Sequence, residues 1–163
     1  MTRTPTKIRP VEKADVSLLN TALRALSAEL GDPHPATPEF LERAGFGPTP
    51  AFYALIAQDG ADVLQGAIMF SPVTSTAIGT TGTFVSDLWV AQDARGTGLG
   101  RQLLGAAAGF SADRWGAGYL KLSVYHGSVR SRQFYDRLGF IPRDSETTMF
   151  LDLNGFETLK GQR

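Results

Sequence analysis

Three glycines at alternate positions, Gly96, Gly98 and Gly100, lie between two arginines, Arg95 and Arg101. Glycine lets a backbone approach a ligand closely, and the first amides of a helix have no internal partner and point outward. The helix dipole adds partial positive charge at the same end. A loop of this kind, completed by Thr97 and Leu99, suits a phosphate or pyrophosphate. Two better-known phosphate loops do not fit. No Gly-x-x-x-x-Gly-Lys-Ser/Thr run occurs, and the last interval of Gly96-Thr97-Gly98-Leu99-Gly100 is wrong for Gly-x-Gly-x-x-Gly. The plainer alternative is a glycine-rich turn that only starts a helix. Groups for proton chemistry are few. Tyr135 carries a phenol, or is one more core aromatic beside Phe134 and Leu138. Asp87 follows Ser86 in a strand-like run, where successive side chains face opposite sides. His126 reads as a polar residue at a strand end, and a Ser86–His126 pair lacks a carboxylate to orient it. Glu29, Asp32 and Glu39 are candidates to attract a cation, or are simply solvated.

Arg95-x-x-Gly98-x-Gly100 resembles the Arg/Gln-x-x-Gly-x-Gly/Ala signature of the GNAT acyltransferases, which in that family holds the pyrophosphate of acetyl-coenzyme A. A second signature of that family is a strand followed by Asn-x-x-Ala-x-x-x-Tyr-x-x-x-Gly-Phe. Here Ser128 stands at the Asn position and Ser131 at the Ala position, while Tyr135 and Gly139-Phe140 match. With both signatures in the right order and spacing, the chain is identified as a member of the GNAT superfamily. The stretch from Phe40 to Tyr53, with Gly45-Phe46-Gly47, and the run Ser86-Asp87-Leu88-Trp89-Val90 are similar to one branch, the diamine (spermidine/spermine) N-acetyltransferases.

The resemblance implies direct transfer of the acetyl group of acetyl-coenzyme A to the amine of a small molecule, polyamine or amino-acid-like. A transferase for protein N-termini or lysines and a non-catalytic coenzyme A-binding module are the alternatives. The second stays open because the diamine branch has Glu where this chain has Ser86, and serine cannot accept a proton unaided at neutral pH. By the same resemblance, Arg95, Gly96, Thr97, Gly98, Leu99, Gly100 and Arg101 hold the pyrophosphate. A backbone N–H from Leu88, Trp89 or Val90 polarises the thioester carbonyl. Ser128, Ser131 and Tyr135 border the cofactor, with Tyr135 as the acid for the departing thiolate. Ser86 and Asp87 touch the substrate, and a water chain ending at a carboxylate supplies the base. Arg130 and Arg132 reach toward the 3′-phosphate or are surface residues, as are Arg24 and Arg137. A homodimer is implied by resemblance alone.

These groups need elements to hold them. Lys7–Arg9 reads as a first strand after a frayed tail at 1–5, ended by Pro10. Asp15 caps a helix through Leu30, with Val16, Leu19, Leu23, Leu26 and Leu30 as its apolar stripe. Thr37 and Pro38 open a second helix that ends at Gly45. Phe52–Gln58 and Val63–Ser71 form a hairpin, and Pro72–Thr81 is a small-residue connection that, with the first helix and its loop, would make the amine pocket. A central strand, Thr83–Val90, leads through the glycine loop into a helix over Gly98–Trp115. Strand Tyr119–Val124 and helix Ser128–Leu138 follow, then two strands at Phe140–Pro142 and Thr147–Leu153, with a tail from Asn154-Gly155. This predicts an α/β (α+β) fold: a mixed, mostly antiparallel sheet with helices on both faces, as one domain over 1–163. The family fold adds that the two central strands splay apart to admit the pantetheine arm.

Composition bounds the rest. The 163 residues carry 16 Lys and Arg against 16 Asp and Glu, so no net field draws the chain to nucleic acid or an anionic membrane. No apolar run is long enough to span a bilayer, and the first residues do not read as a secretory signal. The absence of cysteine removes disulfides, thiolate metal sites and an acyl-cysteine route, and no metal is expected. A cytoplasmic location fits.

Overall fold

The computed structural model describes residues 5–161, so the tail expected at 1–5 lies, but for its last residue, outside the described residues. The chain forms two compact units, Met1–Val124 and Tyr125–Arg163.

The first unit is built on a five-stranded sheet of β1 (Lys7–Pro10), β2 (Tyr53–Gln58), β3 (Leu64–Ser75), β4 (Thr80–Val90) and β5 (Leu120–Leu122), in sequential order. The first three pairings are antiparallel and β4–β5 is parallel. Helices α1 (Val16–Leu30) and α2 (Pro38–Gly45) cover one face. There Leu19, Leu23 and Leu41 pack with Ala54, Ile56 and Ala67. Strand alternation puts Tyr53 on the other face, where its ring lies 5.4 Å from Phe110 and 5.3 Å from Trp115 of α3 (Leu99–Trp115). Helices therefore flank both faces of a mixed sheet, as the sequence pattern predicts.

Local chemistry explains most boundaries. Thr37 Oγ1 accepts from Phe40 N at 3.2 Å and Pro38 opens the first turn of α2. Gly31, at φ 74°, ends α1. Asp15 does not cap α1 with its side chain. Its carboxylate instead accepts from Glu12 N at 2.8 Å and pairs with Arg9 at 2.7 Å, which holds Asp15 below the usual carboxylate range. Pro10 is the last residue of β1 rather than a residue beyond it.

Pro72–Thr81 is not a connection. It is mostly strand: Ser75 faces Thr80 across a short hairpin, and Pro72 faces Thr83 inside the β3–β4 ladder. Proline is tolerated because Thr83 N donates to Tyr119 O on its other side, so the Pro72–Thr83 pair exchanges no hydrogen bonds. β2 pairing ends at Phe70, so no strand meets Pro72 from behind.

The second unit holds α4 (Val129–Arg137) and α5 (Leu153–Lys160). Gly139, at φ 90°, follows the end of α4 as expected, while Ser128 occupies the N-cap position without a side-chain cap bond. The strands expected at Phe140–Pro142 and Thr147–Leu153 do not form. A strand needs a partner for its amides, and none pairs with these segments. Met149 and Phe150 are 86% and 89% exposed. Asn154-Gly155 does not begin a tail. It lies in α5, whose N-cap Asp152 accepts from Gly155 N at 2.9 Å.

Candidate active site

β4 carries the site, because three of its features depend on how its two edges and two faces are used. The β3 pairing is regular until Phe70 faces Val85 and Met69 faces Asp87, which leaves Ser86 as the extra residue of a β-bulge. Ser86 Oγ donates to Met69 O at 3.2 Å. A bulge breaks strand alternation and re-aims the side chains beside it. Val85 is buried on the face of Phe70 and α3, yet Asp87, two residues on, lines a cavity on the α1–α2 face. The strict alternation that would set Ser86 and Asp87 on opposite sides does not hold at this point.

β5 pairs with β4 only from Thr83 to Val85. β5 itself ends at Leu122, and among the described residues no strand meets the β4 edge from Ser86 to Val90. Ala91 N donates to Gln65 O at 2.8 Å, toward β3. By alternation Trp89 points its amide the same way, and Leu88 and Val90 turn theirs to the open edge. Of the three amides expected to polarise a carbonyl, these two face the open edge and Trp89 N faces β3. The Trp89 side chain is committed elsewhere: its Nε1 donates to Glu29 Oε1 at 3.3 Å.

Past Val90, the 3-10 turn Gln92–Ala94 leads to the glycine loop. Gly96 and Gly98 have φ 73° and 86°, a region that favours glycine. A Cβ at either would meet no atom within 4 Å, so open space lies before the loop and the residues fit a bound diphosphate. The first turn of α3 is closed by Gln102 N donating to Gly98 O at 3.0 Å, and the amides of Leu99, Gly100 and Arg101 precede it. Thr97 Oγ1 donates to Ala94 O at 2.6 Å and pins the loop. Arg101 is exposed at its rim. Arg95 is turned away from a purely charge-bearing role: its guanidinium donates to Val90 O at 3.0 Å and pairs with Glu29 at 2.6 Å. Main-chain amides and Arg101, rather than the paired Arg95, are thus the groups there that could hold an anion. Gly66, which sequence reasoning passed over, sets α3 on the sheet. A Cβ there would meet Leu103 Cδ1 at 2.9 Å and Trp89 O at 3.0 Å.

The cavity under Asp87 has a volume of about 370 Å³ and is bounded by Leu23 and Ser27 of α1, His34, Phe40, Met69 and Asp87. Burial pushes the Asp87 carboxyl up from its usual range, opposed by the Ser86 hydroxyl and the charge of His34. His34 straps its loop to α1. Nε2 lies 2.8 Å from Asn20 Oδ1 and Nδ1 3.0 Å from Ser27 Oγ, whose own proton goes to Leu23 O. Sequence reading missed His34, although a histidine between two prolines in a tight interhelical loop was a usable signal. The expected pocket makers are corrected in part. The first helix and its loop contribute, but residues 72–81 do not line the cavity, and neither do Glu29, Asp32 or Glu39. Glu29 is spent on Arg95 and Trp89. Glu39 is held below its usual range by its own backbone amide and the Thr37 hydroxyl.

Ser128, Ser131 and Tyr135 belong to the second unit. Tyr135 is half-buried there, with ring centroids 5.1 Å from Phe134 and 5.3 Å from Phe140, and desolvation raises its phenol above the usual value. His126, Arg130 and Arg132 are exposed. Among the described residues no group of His, Asp and Glu side chains forms a metal site, and no helix is long and apolar enough to cross a membrane.

Residues 18–140 match the acetyltransferase (GNAT) family, and the chain belongs to that family. The fold recurs in solved structures. An integron cassette protein from the mobile metagenome of V. cholerae is 19% identical, with a TM-score of 0.76 over 95% of this chain and 97% of that one. A ribosomal-protein-alanine N-acetyltransferase from Brucella melitensis biovar Abortus 2308 is 18% identical, with a TM-score of 0.73 over 90% of this chain and 100% of its own. An aminoglycoside acetyltransferase from an uncultured soil metagenomic sample, solved with trehalose, is 16% identical, with a TM-score of 0.73 over 91% and 96% of the two chains. A comparison with the curated proteins finds no match.

Proposed function

We propose that the protein is an acetyl-coenzyme A-dependent N-acetyltransferase acting on the amine of a small molecule by direct attack. One observation carries this reading. A single strand, β4, presents the cavity carboxylate of Asp87 and the open-edge amides of Leu88 and Val90, then runs into the glycine loop. The cosubstrate supplies an acetyl thioester. The loop from Arg95 to Arg101 would hold its diphosphate. An alkylammonium, with a pKa near ~10, is no nucleophile until it loses a proton, and Asp87 is the carboxylate placed to take it. The Leu88 and Val90 amides face the side where a carbonyl oxygen would gain negative charge. For the proton that returns to sulfur we assign the Tyr135 phenol, on the strength of the family signature. The raised phenol keeps its proton at neutral pH, as a donor must.

The family match spans the boundary between the two units, which supports one catalytic domain over 1–163. The small volume of the cavity, about 370 Å³, favours a small acceptor over a protein tail. The departure from Glu at Ser86 keeps a coenzyme A-binding role as the rival. Titration calorimetry with acetyl-coenzyme A, followed by thiol release across an amine panel, tests the reading. Tight binding without turnover on any amine leaves only the binding module, and no binding removes both. Sedimentation equilibrium tests the homodimer.

A further inference from the structure

We propose that the acceptor is a compact monoamine, a single ammonium on an uncharged apolar body such as an alkyl or arylalkyl chain, seated in the cavity with its nitrogen against Asp87. This rests on the acetyltransferase reading and narrows it.

The lining decides the class. Among the described residues, its only carboxylate is Asp87 and its only other titratable side chain is His34. Leu23, Phe40, Leu41 and Met69, with Pro33, Pro35 and Ala36, make the wall apolar. One ammonium can be paired there. A second, from a diamine or an aminoglycoside, would meet an apolar wall with no second carboxylate in the lining, and would lose part of its hydration without a partner in exchange. An amino acid fares no better. Its carboxylate would enter beside Asp87, where no Lys or Arg lines the wall. Nor is the His34 ring free to receive it, because both nitrogens are held by Asn20 and Ser27. Glu29, one of the three acids that sequence reading offered, is bound to Arg95 and Trp89. At about 370 Å³ the cavity is at the small end of ligand sites, which run from roughly 300 to 1,000 Å³. The balance is simple. The N–C bond forms as the C–S bond breaks. Of the two protons the ammonium loses, one passes to Asp87 and then to solvent, and the other replaces the one Tyr135 gives to sulfur.

Two matched pairs of amines test this on the full chain: hexylamine against hexamethylenediamine, and phenethylamine against phenylalanine. Each pair differs mainly in one added charge. The monoamine of each pair should have a kcat/KM higher by about 10-fold or more. Direct calorimetry of the same four amines without acetyl-coenzyme A should give the same order. Asp87→Asn should cut kcat/KM for hexylamine by about 100-fold while acetyl-coenzyme A still binds as in the parent. Phe40→Asp, at the cavity mouth, should narrow or reverse the preference of hexylamine over the diamine. Equal or better use of the charged partner in both pairs overturns the proposal, as does an Asp87→Asn protein with undiminished turnover. If acetyl-coenzyme A fails to bind but the amines keep their order, the proposed activity falls and the cavity assignment stands. If it binds and the amines show the reverse order, the cavity assignment falls alone.

Discussion

The loop before α3 and the cavity beneath β4 are built from opposite materials. The loop is main chain: its amides, its two left-handed glycines and the start of a helix all lie within a few residues of one another. The cavity is side chain. Its walls come from α1, the His34 loop, α2, β3 and β4, which are distant in sequence and meet only because the sheet and helices pack. On the reading proposed above, the first would hold any ligand that offers a diphosphate, and the second, with its one carboxylate and apolar wall, would accept some amines and refuse others. A transferase with one invariant donor and a particular acceptor would divide its labour in this way.

The division can be tested by substitutions that should touch one region and spare the other. The largest effect after Asp87→Asn belongs to neither. Tyr135→Phe removes a proton donor and should lower kcat by about 100-fold, with the dissociation constants of amine and acetyl-coenzyme A unchanged. Unchanged turnover would remove the acid assignment. Next comes Gly98→Ala. A side chain at φ 86° costs roughly 1–2 kcal/mol of strain, and shifting the loop to relieve it displaces the amides. Acetyl-coenzyme A affinity should fall by about 10-fold by calorimetry while amine binding holds. Loss of both affinities together would mean that the two regions are not separable.

A smaller effect concerns pH. The Asp87 carboxyl is raised on folding, so the folded protein binds that proton more tightly than the unfolded chain does. Its contribution to stability is therefore lost as pH rises through the ordinary carboxylate range and on to the raised value. Asp87→Asn should gain thermal stability over the parent at neutral pH and show no gain in acid. The same titration should set the acid limb of kcat/KM for the amine above the usual carboxylate range, because the ionised form is the active one. Smallest of all is Glu29→Gln. It breaks a half-exposed pair with Arg95 worth less than about 1 kcal/mol. Acetyl-coenzyme A affinity should move by less than about 3-fold; a large loss would show that the loop depends on Arg95 being held by Glu29.

Legibility in the sequence followed the same line. The glycine loop, the Thr37-Pro38 helix start and the order of strands and helices through α4 were readable, because each depends on neighbours in the chain. The failures were non-local. Pro72 looked like a breaker, yet a non-hydrogen-bonded position opposite Thr83 leaves its missing N–H without consequence. The run from Thr147 to Leu153 looked like a strand, yet among the described residues no strand pairs with it and Asp152 caps a helix there instead. Ser86 and Asp87 were read as facing opposite sides, because strand alternation was assumed across a residue that proves to be a bulge.

By itself the sequence determined the anion loop, the family signatures and the hydrophobic periods that set the elements, since backbone freedom and helix-end polarity are properties of contiguous residues. Tertiary structure alone decided which carboxylate lines the cavity. Asp87 turns into the cavity because Ser86 is squeezed out of the β3–β4 ladder, and Glu29 turns away because Arg95 and Trp89 lie within reach. Both outcomes depend on contacts between residues that chain order does not bring together.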